Sequence, residues 1–341
     1  MSTIAWLSKK LADGRILCEA CNQHCKIHAG EYGLCGIRKV ENGQLNLLTY
    51  GLAAAVNVDP VEKKPMFHFL PGSSAFSFGT VGCNFSCKFC QNYDISQYPK
   101  EHHHEIVGRK LAPQSAVDLA LENGCQSIAY TYNEPVVFFE YTYDTAKIAH
   151  EAGLKNIYVT SGYETHKAID TIAPFLDGMN IDIKGYSQSF YKEICGAALK
   201  PVLDTIQYAH KKGIWIETTT LLIPGHNDSD EEIRAIAKFQ VDLDPLMPWH
   251  ISAFHPMCKM LDVPPTPPET LRRAYDIGKD AGLKYVYVGN IDDEARESTY
   301  CPGCGQLVID RSGHIGQYVT NHLNKEGVCP SCGYKVEGVW H

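Results

Sequence analysis

The sequence lacks the features that would direct a protein to a membrane or to nucleic acid. No apolar run approaches the roughly 20 residues of a membrane helix, and the opening MSTIAWLSKKLADGR does not resemble a signal peptide. Acidic residues outnumber basic ones, 39 to 31, and the formal net charge of -8 disfavours a nucleic-acid partner. We therefore expect a cytoplasmic protein without a membrane partner.

Cysteine, by contrast, is plentiful. The 341 residues include 14 cysteines, and the cytosol keeps thiols reduced, so disulfides are not expected. Eleven of the cysteines fall into three clusters, which indicates metal ligation rather than scattered core thiols.

Strands and helices alternate some six times from about residue 76. This alternation predicts an α/β fold with a parallel sheet, and a partial (β/α) barrel suits it better than a doubly wound open sheet. The predicted domains are a Cys-rich module at 1–70, a barrel at 71–295 and a C-terminal four-cysteine module at 296–341. Strands are expected at 75–82, 127–132, 156–161, 178–183, 214–223, 250–254 and 284–289, and helices at 112–124, 135–153 and 226–239.

The stretch CNFSCKFCQN places Cys83, Cys87 and Cys90 directly after the first predicted strand of the barrel. A cluster of four irons and four sulfides has four corners, so three thiolates leave one iron free to bind a substrate. The alternative is a structural zinc ion whose fourth ligand is Cys125, Cys195 or Cys258.

Polar residues also follow several later predicted strands. The carboxyl ends of barrel strands share one rim, so these side chains are expected to surround one ligand. Asp182 and Lys184 are two residues apart and would point to the same face, although a buried ion pair is the plainer interpretation. The rim residues are Asn133, Glu134, Ser161, Asp182, Lys184 and His255, and a hydrogen-bonded loop histidine is the alternative for the last.

The C-terminal cysteines form two matching knuckles, CPGCG at 301–305 and CPSCG at 329–333. Paired Cys-x2-Cys knuckles are typical of a four-thiolate ion site. Zinc in a ribbon-like module is the first interpretation and rubredoxin-like iron the second. The ligands would be Cys301, Cys304, Cys329 and Cys332.

The N-terminal cysteines have the spacing Cys-x2-Cys-x3-Cys-x9-Cys, which matches neither paired knuckles nor the ferredoxin pattern. The three interpretations are zinc, an auxiliary iron–sulfur cluster and no metal at all. The residues are Cys18, Cys21, Cys25 and Cys35.

GCNFSCKFCQN resembles the cluster loop of radical S-adenosylmethionine (SAM) enzymes. Further segments look like the pyruvate formate-lyase activating enzyme branch, and most of all like the radical SAM member of the AmmeMemoRadiSam system: KKPMFHFLPG, TYNEP, NIDIKG, TTTLLIPGHNDSDEEI, HISAFHP and YVYVGN. The resemblance implies a [4Fe-4S] cluster on the three cysteines, with SAM on its open iron.

It also implies roles for the rim. Phe89 would contact adenine, Glu134 the SAM amino group, and Asp182 with Lys184 the ribose or carboxylate. Asn133 belongs to TYNEP, which stands where the family usually has Gly-Gly-Glu.

The implied activity is reductive cleavage of SAM to a 5'-deoxyadenosyl radical that abstracts hydrogen from a substrate. The implied partners are a low-potential donor, ferredoxin or flavodoxin, and MEMO-like and AMMECR1-like proteins. Alternatives are a glycyl-radical-enzyme activase and a non-catalytic zinc-ribbon scaffold. An RNA-modifying enzyme would need a basic face that this composition does not suggest.

Overall fold

The protein is described from a computed structural model covering residues 2–313 and 318–341. Within these residues, the largest sheet has eight strands that lie side by side in chain order. Strands β2 to β8 are parallel, and β1 is an antiparallel edge strand beside β2. The strands are β1 (Ala55–Pro60), β2 (Ser74–Gly79), β3 (Ser127–Tyr130), β4 (Lys155–Thr160), β5 (Gly178–Asp182), β6 (Trp215–Leu222), β7 (Trp249–Ala253) and β8 (Val286–Gly289).

This order confirms the predicted partial barrel. A doubly wound sheet reverses its strand order at a switch point, whereas here every parallel strand lies beside its predecessor. All seven predicted strands are present, with bounds that differ from the predicted ones by three residues at most. Strand β1 was not predicted, because Val56 and Val58 are exposed on the sheet edge and give no buried pattern.

Six longer helices connect or flank the strands: α1 (Pro113–Glu122), α2 (Phe139–Glu151), α3 (His166–Ile172), α4 (Leu199–Lys211), α5 (Asp230–Leu243) and α6 (Pro268–Ala281). Shorter helical turns occur at Tyr93–Ser96, Tyr98–Glu101, Gln188–Phe190 and Glu294–Glu297, with 3-10 turns at Val61–Lys63 and Pro135–Phe138 and a π-helical turn at Tyr191–Cys195. In the residues described, none of the helices is both long enough and apolar enough to span a membrane.

Two predicted helices begin later than expected, for identifiable reasons. The segment predicted at 135–153 starts with a 3-10 turn, and the carbonyl of Val137 accepts a hydrogen bond from Arg38 Nε at 2.9 Å rather than from the next helical turn. Helix α5 starts at Asp230 rather than 226, because the Ser229 hydroxyl accepts from the Glu232 amide and caps the helix there.

The segments outside the barrel are built from short strands. The first 50 residues form two three-stranded sheets, and their buried residues, such as Leu7 and Ile37, share one core with the barrel. The C-terminal residues form a sheet of Thr299–Tyr300, Leu307–Ser312 and Tyr318–Asn321, which packs against Phe67 and Tyr287. The domain boundaries at 70 and 295 stay predictions, and β1 lies before the first of them.

A buried carboxylate joins the sheet to the segment that precedes it. Glu217 on β6 is completely buried and accepts hydrogen bonds from the amides of Phe67 and His68 at 2.9 and 2.8 Å, and from His250 Nε2 at 2.7 Å. Burial opposes its charge, but the hydrogen bonds and His250 hold the pKa of Glu217 below its usual value.

His68 extends this network to the C-terminal residues. Its Nδ1 faces the carbonyl of Glu337 at 2.7 Å, and a carbonyl only accepts, so Nδ1 carries the proton. Nε2 therefore accepts from the hydroxyl of Tyr287, 2.6 Å away. Burial lowers the pKa of His68 to about 4, which keeps this tautomer neutral near pH 7.

We expect Glu217→Ala to lower the free energy of unfolding by about 3–5 kcal/mol at pH 7, because two buried amides and His250 lose their acceptor. Urea unfolding measures this, with Glu231→Ala, at an exposed position on α5, as the control. A carboxyl group whose pKa is lower in the folded than in the unfolded protein stabilises the fold at pH values above its unfolded pKa, and this stabilisation is lost as the pH falls. The difference in unfolding free energy between wild type and Glu217→Ala should therefore narrow in acid. A gap that widens in acid would contradict this account.

Candidate active site

The cysteine loop lies at the carboxyl end of β2, and groups from outside the loop hold it in place. Asn133 donates from Nδ2 to the carbonyl of Gly82 at 2.7 Å, and its Oδ1 accepts from the Thr80 amide at 3.2 Å. The amides of Ser86 and Lys88 donate to the carbonyls of Cys195 and Ile194, at 2.9 and 3.0 Å. The loop is therefore pinned on two sides.

The three thiols lie in a largely buried setting. Cys83 and Cys87 are buried and Cys90 is half-buried. The Phe85 amide donates to Cys83 Sγ at 3.4 Å, and Cys90 Sγ lies 3.3 Å from the hydroxyl of Ser96.

Burial raises the pKa of Cys83 and Cys90, and the adjacent thiol of Cys195 raises that of Cys87. Thiolates at these positions therefore need a positive partner, which a metal centre supplies. The donor set fits a metal cluster.

The zinc alternative for this loop is not supported by the geometry. Cys195 lies beside Cys87 and Cys258 lies near Cys90, whereas Cys125 is at the amino end of β3, away from the loop. Within the described residues, no three thiols of this region gather as closely as the C-terminal four do. A single ion would require such a gathering, because its ligands share one small sphere.

Asp182 and Lys184 lie beside the loop and form an ion pair with each other, which was the plainer of the two interpretations. Lys184 Nζ is 2.6 Å from Asp182 Oδ2 and 5.9 Å from the centre of the Phe89 ring. Burial opposes the lysine's charge, but Asp182 and the nearby Cys87 raise its pKa well above the usual value. Phe89 in turn stacks on Phe190, with ring centres 6.2 Å apart. One cation, one carboxylate and one aromatic ring thus line the same side of the cysteine loop.

Glu134 is completely buried and bound to the neighbouring strand. Its Oε1 accepts from the Thr160 hydroxyl at 2.7 Å and its Oε2 from the Ser161 amide at 2.9 Å. Ser161 itself is buried at the end of β4. The carboxylate keeps further lone pairs that an ammonium group could use.

Sequence reasoning missed Glu164, which lies 2.6 Å from the same Thr160 hydroxyl. Burial, and then the charge of Glu134, raise the pKa of Glu164 to about 8. The Thr160 hydroxyl thus lies between the two carboxyl groups, 2.7 Å from Glu134 and 2.6 Å from Glu164. The only sequence signal was a polar residue four positions after a strand end, which is too common to be informative.

His255 lies at the same rim but is exposed, and the structure gives it no described hydrogen bond. The loop that begins at His255 contacts the cysteine loop, because the Lys259 amide donates a hydrogen bond to the carbonyl of Lys88 at 2.8 Å. The rim residues are thus brought to one end of the sheet, with His255 at its periphery.

Comparison with known proteins agrees with this geometry. The sequence model of the radical SAM superfamily matches residues 78–239, which contain the cysteine loop and strands β3 to β6. A protein from Methanocaldococcus jannaschii without an assigned function is 42% identical over 334 residues, covering 98% of both chains. The chain belongs to the radical SAM superfamily.

Two further proteins are similar to this chain, one in sequence and one in structure. A proposed glycyl-radical enzyme activating enzyme from the same organism is 27% identical over 211 residues, or 61% of this chain and 76% of the relative. Among solved structures, a radical SAM methyltransferase from Sphaerobacter thermophilus aligns over 70% of this chain and 71% of its own, with a TM-score of 0.51 and 20% identity. The second comparison concerns the fold alone.

Membership in the radical SAM superfamily implies a [4Fe-4S] cluster and SAM. Cys83, Cys87 and Cys90 are the residues that would hold the cluster, since they alone among the rim residues offer thiols from one pinned loop. The roles of the individual rim residues toward SAM stay predictions.

The C-terminal cysteines form a second, separate centre. The ligand atoms of Cys301, Cys304, Cys329 and Cys332 all lie within 4.8 Å of one another. The sulfurs of Cys301 and Cys332 are 3.6 Å apart, and those of Cys304 and Cys329 are 3.8 Å apart. These four residues could hold one metal ion.

We expect Gly82→Ala to reduce the iron bound per chain. Gly82 has φ +88°, and an added Cβ would lie 2.5 Å from Ile37 Cγ2 and 2.6 Å from the Cys35 carbonyl, so the loop must move. Gly14→Ala is the matched control, because Gly14 has φ +85° with nothing within 4 Å of the added atom. Iron analysis after anaerobic reconstitution measures the effect, and equal iron in the two variants would contradict it.

Proposed function

We propose that the protein is an oxygen-sensitive radical SAM enzyme of the AmmeMemoRadiSam type, which abstracts hydrogen from a substrate. When bound, the cluster and SAM would supply a 5'-deoxyadenosyl radical by one-electron reductive cleavage. The observation that carries the proposal is the pinned three-thiol loop beside Phe89, Asp182 and Lys184 at one rim of the sheet.

The chain's own residues would hold and orient SAM. The Lys184 ammonium suits the SAM carboxylate and the Asp182 carboxylate suits ribose hydroxyls, because charged hydrogen bonds are the stronger ones. Phe89 offers a flat apolar face to adenine. Glu134 would accept from the SAM amino group through the lone pairs that Thr160 and Ser161 leave free.

The proposal includes partners. The cleavage consumes one electron, so we propose a low-potential donor, ferredoxin or flavodoxin. The AmmeMemoRadiSam likeness supports MEMO-like and AMMECR1-like proteins as partners, and the reaction on the substrate is left open.

A second candidate function is activation of a glycyl-radical enzyme. It is supported by the proposed glycyl-radical enzyme activating enzyme of Methanocaldococcus jannaschii, which aligns over 61% of this chain. The two candidates differ in where the hydrogen comes from. In the activase case, deuterium placed on a glycine Cα of a partner protein would appear in 5'-deoxyadenosine. A small labelled molecule as the source would favour the first candidate.

The reconstituted protein should form 5'-deoxyadenosine from SAM with dithionite under anaerobic conditions. We expect the triple variant Cys83→Ala, Cys87→Ala, Cys90→Ala to form none. Cys125→Ala, which changes a buried cysteine at the amino end of β3, should retain the activity. Chromatography of the products measures both. If fully loaded wild-type protein formed no 5'-deoxyadenosine, the proposed function would be wrong.

We propose further that the C-terminal four cysteines hold zinc. Zinc with thiolates at about 2.3 Å places sulfurs about 3.8 Å apart in a tetrahedron, which agrees with the two separations of 3.6 and 3.8 Å.

The double variant Cys304→Ser, Cys332→Ser should therefore lose one zinc per chain while keeping its iron. It should also make the C-terminal residues more sensitive to proteases. The hydrogen bond from the Leu70 amide to the Val339 carbonyl holds these residues against the barrel, and we expect it to be lost when the four-cysteine module loses its metal. Metal analysis and limited proteolysis test this, and iron in place of zinc at this site would contradict it.

A further inference from the structure

The four N-terminal cysteines line one pocket, although the sequence left their purpose open. Cys18, Cys21 and Cys25 come from a hairpin that includes strands Ile16–Cys18 and Lys26–Ile27, and Cys35 from the next turn. Three of the four are buried, and Cys25 is half-buried. The Leu34 amide lies 3.5 Å from Cys25 Sγ and donates to it. The four thiols thus surround a shared space.

The N-terminal thiols are less closely gathered than the C-terminal four. The C-terminal sulfurs stand 3.6 and 3.8 Å apart, as a zinc tetrahedron demands, but the N-terminal four form no such close group in the described part of the chain. Their pocket also has room for a water-sized sphere. Four sulfurs about 3.8 Å apart around one ion would leave no such room.

The pocket wall carries a donor that has no partner. Asn84 is 3% exposed and lines the pocket; its Oδ1 lies 3.6 Å from Cys83 Sγ, and its Nδ2 makes no hydrogen bond within the described residues. A buried amide of this kind needs an acceptor. Inorganic sulfide and thiolate are acceptors, and hydrogen bonds to the sulfurs are a regular feature of iron–sulfur sites.

The remaining wall is apolar or neutral in charge. Ile27, Val136 and Val137 line it, together with Arg38. Arg38 is 2% exposed and forms an ion pair with the buried Glu140 at 2.6 Å, so the pair adds no net charge. The wall thus buries Cys18, Cys21 and Cys35, which suits a cluster that must be shielded from bulk solvent.

The pocket shares a wall with the first cysteine loop. Asn84 follows Cys83 in sequence, and Gln23 Nε2 donates to the Asn84 carbonyl at 2.9 Å. At Gly82, the position of an added Cβ would be 2.6 Å from the Cys35 carbonyl. The two sets of thiols are therefore separated by a single layer of loop.

We propose that Cys18, Cys21, Cys25 and Cys35 hold a second [4Fe-4S] cluster, which exchanges single electrons with the neighbouring site. An external low-potential donor of the ferredoxin or flavodoxin class would give it one electron, and its return to the oxidised form would deliver that electron to the site at Cys83. This goes beyond the proposed function, because it holds whatever substrate the enzyme acts on.

Metal analysis of two variants tests the cluster. The triple variant Cys83→Ala, Cys87→Ala, Cys90→Ala leaves the N-terminal pocket intact, so after reconstitution with iron and sulfide it should keep about four irons per chain. Wild type should hold about eight. Changing the four N-terminal cysteines to alanine should reduce wild type to about four, with circular dichroism to confirm folding.

A triple variant that bound zinc instead of iron at the N-terminal site, or no metal there, would overturn the proposal. This result does not depend on the four-cysteine variant, which could fail to fold. It also does not depend on 5'-deoxyadenosine formation, so failure of the proposed function would be recognised separately.

Electron paramagnetic resonance tests the electronic contact. In fully reduced wild type, the signals of the two clusters should be broadened by their mutual interaction. If the wild-type spectrum equalled the sum of the spectra of the two variants, the proposed exchange between the clusters would be wrong.

Discussion

The structure depends on how the loop of Cys83, Cys87 and Cys90 is held. Burial raises the pKa of Cys83 and Cys90, so these groups are not held in place as thiolates by charged partners of the loop itself. Instead, backbone amides pair with the turn at Ile194 and Cys195, and the Asn133 side chain ties down the loop's first residues. The parallel sheet supplies both supports, because consecutive strands end at the same rim.

The sequence was sufficient to predict the barrel and the cysteine loop. Parallel strands buried on both faces are short apolar runs, and Gly124 and Gly153 follow the ends of helices α1 and α2, so the alternation was readable. Edge strand β1 was not readable, since Val56 and Val58 face solvent. Glu164 was not identified as a site neighbour, because it reaches the site only through its contact with the Thr160 hydroxyl. Cys195 was named only as a possible zinc ligand, and in the structure it lies beside Cys87.

The two outer cysteine sets show what spacing does and does not determine. Cys-x2-Cys knuckles fix two sulfurs on one tight turn, in which the Gly305 amide donates to the Cys301 carbonyl, and the Gly333 amide does the same at Cys329. Their geometry is thus local and predictable. The N-terminal set combines a hairpin with a separate turn, so the separation of its sulfurs is decided by packing against Asn84 and Val137, which no spacing encodes.

The buried ion pair of Arg38 and Glu140 fixes the position of the N-terminal segment relative to the barrel. Arg38 donates to both carboxylate oxygens of Glu140, at 3.3 and 2.6 Å, and to the Val137 carbonyl at 2.9 Å. A buried ion pair gains little net stability over apolar packing, but leaving one of its charges unpaired is costly. Packing arrangements of the N-terminal segment that separate Arg38 from Glu140 are therefore disfavoured, even where they bury a similar area. The arrangement that keeps the two paired places Cys35 against Gly82, and it delays the start of α2. The same contact therefore sets the relative position of two cysteine sites that lie 48 residues apart in sequence, from Cys35 to Cys83.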